Sequence, residues 1–174
     1  LNIVHLGSLM LSEEKGRALA KRVADKTKEI GAKLSFDVNF RKDIFRDFDA
    51  AKRAYEPFVK RADIVKFSED ELLDFTGISG IDAAAKSLCD KDKLILVTLG
   101  KNGSAYYFNG EKGVVPSEYK CKSVDTTGAG DAFFGAFLAA IENKKPTKEN
   151  IVSAMRKGNE KGAKATEFFG AIKL

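Results

Sequence analysis

The chain has little of what several functional classes require. Only two of its 174 residues are cysteine. Cys89 and Cys121 lie far apart and without metal-ligand spacing, which excludes a disulfide framework and fits a reducing cytoplasm. Cys89 falls in an apolar helical stretch and reads as a small core residue. The single histidine, His5, lies in a strand-like run and reads as a satisfied core side chain rather than a catalyst. With no His/Cys/carboxylate cluster, a tight zinc site is excluded. No window approaches the roughly 18 apolar residues of a membrane span, and no signal-peptide pattern stands at the start. There is no internal repeat and no low-complexity linker. Thirty Lys+Arg against 25 Asp+Glu leave a net charge of +5, but the lysines are scattered and mixed with acids. That pattern describes solvated faces, not the clustered basic stripe of a nucleic-acid binder. A modest positive charge still favours approach of a polyanionic nucleotide.

What is present fits one α/β domain. Hydrophobic residues make up 44% of the chain, enough for a substantial core. The opening "LNIVHLGS" has no initiating Met and reads as a strand in progress, as expected of a fragment of a longer protein. Strands are expected at 2–7, 33–38, 63–67 and 93–99. Helices are expected between them. The first is capped by Ser12, has its apolar positions at Leu19, Val23, Thr27 and Ile30, and is stopped by Gly31. The second runs from about Asp49 and is bent or interrupted by Pro57. The third opens on a capping box at Ser68–Glu71 and closes at Gly77. The fourth is capped by Asp82 and ends near Cys89. "SAYYF" and "GVVP" flank Asn109-Gly110, a strong hairpin signal, and Pro116 ends that hairpin. An apolar helix over 131–142 and a last helix from Thr147 to about Thr166 follow, and the tail "FFGAIKL" is expected to pack. Alternating strands and helices predict a mostly parallel sheet, with ligands at the carboxyl ends of its strands.

The stretch "SVDTTGAGDAFFGAFLAAI" carries the chemistry. Glycine lets an anion approach the backbone, and the first amides of a helix have no intrahelical partners. The helix dipole favours negative charge there. Gly128-Ala129-Gly130 therefore offers a phosphate site. Asp131 either caps or charges the first helical turn, or accepts the proton of an alcohol attacking phosphorus, since phosphoryl transfer needs both donors and a nearby carboxylate. Thr98, Gly100 and Gly103, in "TLGKNG" after the most apolar strand, suit either a nucleotide lying on the turn or a tight connection. The guanidinium of Arg41 suits phosphate oxygens, and Arg41 follows Asn39 at a strand's carboxyl end.

"DTTGAGDAFFGAF" resembles the C-terminal signature of the PfkB, or ribokinase, family of carbohydrate kinases. "HLGS", "FDVNFR", "ADIVKFSEDEL", "LVTLGKNGSAYY" and "FFGAI" fall in family order and are most similar to its fructokinase branch. The resemblance spans essentially the whole chain, 1–174, as the C-terminal portion of one kinase domain. It implies a Rossmann-like, three-layer ribokinase fold without the N-terminal strands, the lid and the glycine-rich sugar motif. It implies Asp131 as catalytic base, the amides of 128–131 as anion hole, and Asn39 and Arg41 near sugar and phosphate. Asp125 and Thr127 would lie at a monovalent cation, commonly potassium, and Asn159 would face adenine. Glu69 would be the glutamate of an Asn-x-x-Glu motif acting indirectly on Mg²⁺, with Lys66 in place of the asparagine. Mg²⁺ would arrive with ATP. The implied activity is ATP-dependent phosphorylation of fructose, with 2-keto-3-deoxygluconate kinase, ribokinase or nucleoside kinase as alternatives. A non-catalytic nucleotide-binding remnant is the alternative from another class. The implied partners are a small sugar and ATP, not nucleic acid or membrane, with a homodimer possible through the lid that this chain lacks.

Overall fold

The structure is a computed structural model that describes residues 2–41, 44–45 and 47–171. Among the described residues there are six strands and six α-helices; strand and helix alternate in the first part of the chain, and a run of three strands then precedes the last two helices. The strands are β1 (Ile3–Gly7), β2 (Lys33–Asp37), β3 (Ile64–Ser68), β4 (Leu94–Thr98), β5 (Ser104–Phe108) and β6 (Glu111–Val115), and they form one mixed sheet in sequential order. β1 pairs parallel with β2, and β2 with β3. The chain divides into two compact units, 1–97 with 107–111, and 98–106 with 112–174.

In the first unit, α1 (Glu14–Glu29) lies between β1 and β2 in the chain, α2 (Phe48–Arg61) between β2 and β3, and α3 (Glu69–Thr76) and α4 (Ile81–Leu88) between β3 and β4. Its core is aromatic: Phe36 of β2 stacks on Phe58 of α2 at 5.8 Å and meets Tyr55 edge-on at 6.0 Å. The capping box at Ser68 and Glu71 forms as expected, and Gly77 closes α3 in the left-handed conformation. Gly31 likewise follows the end of α1 with a positive φ.

Several local expectations are overturned. Ser12 does not cap α1. It ends a 3₁₀ turn (Ser8–Ser12) and donates its hydroxyl to Leu9 O, while Glu13 takes the cap position. The buried face of α1 is Ala20, Ala24 and Thr27, whereas Leu19 is 51% and Ile30 48% exposed. Small residues win that face because they let the helix lie closer to its neighbours; Gly16, on the same stripe, lies against the Met10 carbonyl with no room for a Cβ. Pro57 does not interrupt α2, which continues to Arg61 at the cost of one backbone donor. Gly80, not Asp82, takes the cap of α4. The Asp82 carboxylate instead accepts from the Tyr107 hydroxyl at 2.6 Å. Burial and that contact push the Tyr107 phenol well above its ordinary range. Cys89 is a half-buried C-cap rather than a core residue, its thiol pushed up by burial. His5 is exposed, since β1 ends the strand order, and its Nδ1 lies 3.0 Å from Ser35 Oγ on β2.

In the second unit, α5 (Ala129–Ile141) packs on α6 (Lys148–Ala165), which Thr147 caps through Asn150 N. The pair approaches closely because α6 turns glycines to α5: a Cβ on Gly158 would come within 2.8 Å of the Phe133 ring. α5 is apolar nearly all round but is buried only along Phe133, Phe134, Phe137 and Ile141. β5 and β6 join through Asn109-Gly110, both at positive φ, the signature of a two-residue hairpin turn. In the tail, Phe169 is 82% exposed. The tail is held by its backbone, as Gly170 N donates to Asp125 Oδ2 at 2.9 Å. Residues 172–174 of that stretch, and Lys42, Asp43 and Arg46 of the loop after β2, lie outside the described residues.

Candidate active site

The turn before α5 is built from Asp125. Its Oδ1 accepts from both the amide and the hydroxyl of Thr127, at 2.9 and 2.7 Å, and its Oδ2 from Gly170 N. These bonds, the Gly170 amide foremost, hold the carboxyl below the usual aspartate range. Gly128 follows at φ +78, and a Cβ there would lie 2.9 Å from Ala171. Glycine is therefore required twice at that position, for conformation and for the tail passing over it.

Helix α5 then begins without a side-chain cap. The Ala129 amide donates to Thr126 O at 3.2 Å, so it is not available to an anion, and the expected hole over 128–131 narrows. The Ala132 amide is the first to reach back to a helical carbonyl, that of Gly128. The amides of Gly130 and Asp131 precede it and have no intrahelical acceptor. Asp131 is exposed, and among the described residues its carboxylate makes no hydrogen bond or ion pair. Asp131 does not cap α5, because the cap position belongs to Gly128, but it does place a carboxylate in the first helical turn.

A cavity of about 530 Å³ opens beside this turn, entirely within the second unit. Ala129 and Gly130 line one side, Thr98, Gly100 and Gly103 another, and Asn159 lies on the wall from α6. Two cations line it as well, Lys101 and Lys120. Composition hid these two lysines, because nothing in their neighbourhood distinguishes them from surface residues.

The first unit carries the other candidates. Asn39 has a positive φ of 27°, and its carbonyl accepts from Ser8 Oγ at 3.0 Å. Glu71 clamps this loop to the start of α3: Oε1 accepts from Phe40 N at 2.8 Å and Oε2 from Ser68 N at 2.7 Å. Beneath the loop, Lys66 donates to Asp37 at 2.9 Å, in an ion pair whose side chains are 5% and 4% exposed. Arg41 and Glu69 are exposed.

Residues 2–173 match the description "pfkB family carbohydrate kinase". The chain belongs to that family. It is 40% identical over 176 residues to fructokinase-1 of Zea mays, an alignment covering 98% of this chain and 54% of the maize protein. Fructokinase from Vibrio cholerae O395, solved with fructose, ADP and calcium, superposes with a TM-score of 0.90 at 31% identity, over 97% of this chain and 56% of that one. A double mutant of the same enzyme, with fructose, ADP and potassium, gives 0.91, over 97% and 55%. The chain thus spans about half the length of these relatives.

Against the pfkB pattern, the structure brings together in one unit the residues expected at nucleotide, cation and catalytic base: Thr98, Gly100, Gly103, Asp125, Thr127, Gly128, Ala129, Gly130, Asp131 and Asn159. Asn39, Arg41 and Glu69 belong to the other unit. Sequence reasoning overlooked Glu71 as the loop's anchor. Its signal was present, because the capping box already singled out Glu71, but a cap explains only the Ser68 bond and not the Phe40 one.

Proposed function

We propose that this chain supplies the nucleotide-binding and phosphoryl-transfer part of an ATP-dependent sugar kinase whose acceptor is fructose. The observation that carries the reading is the exposed Asp131 carboxylate in the first turn of α5, unpartnered among the described residues, next to two amides without helical partners and a cavity large enough for a nucleotide. The fructokinase relatives support the choice of sugar.

ATP brings the phosphoryl group. The chain's contribution is positioning and charge. Asp131, with no competing partner, takes the proton of the attacking hydroxyl. The amides of Gly130 and Asp131, at the positive end of α5, donate to the charge on the phosphoryl oxygens. Lys101 and Lys120 add positive charge along the cavity wall. Asn39 and Arg41, on the Glu71-clamped loop, serve the sugar and its phosphate.

Among the described residues no group of three or more His, Cys, Asp or Glu side chains could hold a metal ion. Magnesium would be held mainly by the phosphates of ATP and by water, with Glu69, exposed in the first turn of α3, acting at a distance. The Asp125–Thr127 turn fits a monovalent cation in charge. Three donors already engage the Asp125 carboxylate, so it offers at most one further lone pair.

The test is an ATP-consumption assay on the complete enzyme over fructose, 2-keto-3-deoxygluconate, ribose and nucleosides, with wild type and Asp131→Asn. Fructose should be preferred. The substitution should lower turnover by about 10²–10⁴ while leaving thermal stability nearly unchanged, since among the described residues the exposed carboxylate makes no hydrogen bond and only adds charge to the first turn of α5. Turnover surviving within a few-fold overturns the assignment of Asp131.

A further inference from the structure

Asn159 is 8% exposed on α6, and its amide is turned into the protein rather than towards a ligand. Oδ1 accepts from Ser104 Oγ at 2.9 Å. Nδ2 donates to Val115 O at 2.9 Å and to Pro116 O at 3.4 Å. Those two carbonyls can only accept, so the NH₂ group must face them and the orientation of the amide is settled. Three of its four hydrogen-bonding positions are engaged.

The same stretch of backbone is gripped from a second direction. Gly103, at φ +98, lies so close to it that a Cβ would sit 2.2 Å from Val115 O and 2.7 Å from Ser117 N. Ser104, the next residue, is fully buried. Gly103 and Ser104 on one side and Asn159 on the other therefore pin Val115–Ser117, and Gly103, Ser117 and Asn159 all line the cavity.

We infer that Asn159 is a positioning residue that holds the end of β6 to α6 and so sets the width of the cavity, and that it does not read the edge of the nucleobase. The inference rests on the nucleotide reading above. Its consequence is that purine nucleotides gain or lose affinity together when Asn159 changes.

The test titrates wild type, Ser104→Ala and Asn159→Ala with ADP and GDP by calorimetry, and follows amide exchange over residues 115–121 without nucleotide. Both variants should exchange faster there. ADP and GDP affinities should fall together by roughly tenfold, what about 1.4 kcal/mol is worth, with their ratio kept within about twofold. A ratio that shifts by about fivefold or more, with exchange unchanged, overturns the inference and makes Asn159 a base reader. If Asn159→Ala fails to fold, Ser104→Ala carries the same test, because it removes one bond and keeps the amide. Wild type binding neither nucleotide defeats the nucleotide reading, and the exchange result still decides the clamp.

Discussion

Asp125 and Asp131 lie in one short segment with opposite surroundings. Asp125 accepts three hydrogen bonds, whereas Asp131 accepts none among the described residues. The difference has a pH signature. The folded carboxyl of Asp125 is held below its unfolded value of about 3.9, so its contribution is complete above that value and is lost as pH falls through the folded one. The Gly170 amide resonance should therefore move in an acid titration below about pH 4, and Asp125→Asn should abolish that movement. Tyr106 shows the converse case. Its hydroxyl is buried without a partner among the described residues, so Tyr106→Phe should leave stability unchanged or raise it by up to about 1 kcal/mol in chemical denaturation. Glu71→Ala breaks two backbone contacts at once. It should cost about 1–3 kcal/mol and raise the KM for the sugar, because Phe40 stands between Asn39 and Arg41.

At the scale of elements, helix ends and strand ends are secured by charges from elsewhere in the chain. Lys93, just before β4, is buried and donates to Val59 O and Lys60 O at 2.6 and 2.8 Å. It thereby satisfies the last carbonyls of α2, where a cation also suits the helix dipole. Burial pulls its ammonium below the ordinary lysine range. Lys93→Met should leave those carbonyls unpaired and cost about 1–3 kcal/mol, measured by urea unfolding. The Lys66–Asp37 pair links β3 to β2 in the same manner. Nothing at Lys66 marks it as buried, because a lysine in an apolar strand reads equally well as a solvated side chain. Local signals did identify other ends of elements. Ser68-x-x-Glu71, Gly77, Asn109-Gly110 and Thr147 each name a backbone geometry that few other residues tolerate. Ser12 and Asp82 failed as caps because a nearby carbonyl and a tyrosine hydroxyl engaged their side chains instead.

At the scale of the whole molecule, a ligand that binds only the folded state raises stability by mass action. Saturating ADP should raise the unfolding free energy by about 2.7 kcal/mol at a hundred times its dissociation constant, seen as a concentration-dependent rise in Tm. The chain covers 54% of the maize fructokinase it resembles, and the sugar-facing candidates stand on a different unit from the phosphate-facing ones. The order of strands and helices, the hairpin and the glycine turn were legible from sequence, because each follows from periodicity or from a backbone geometry set within a few residues. The tertiary structure alone decided that Asp131 caps nothing, that Ala129 has lost its amide to Thr126, that Asn159 faces protein carbonyls, and that Glu71 holds the Phe40 loop. These are contacts between residues distant in sequence, or choices among partners competing for one group. Such choices are settled only when the packed chain fixes which atoms come within hydrogen-bonding distance.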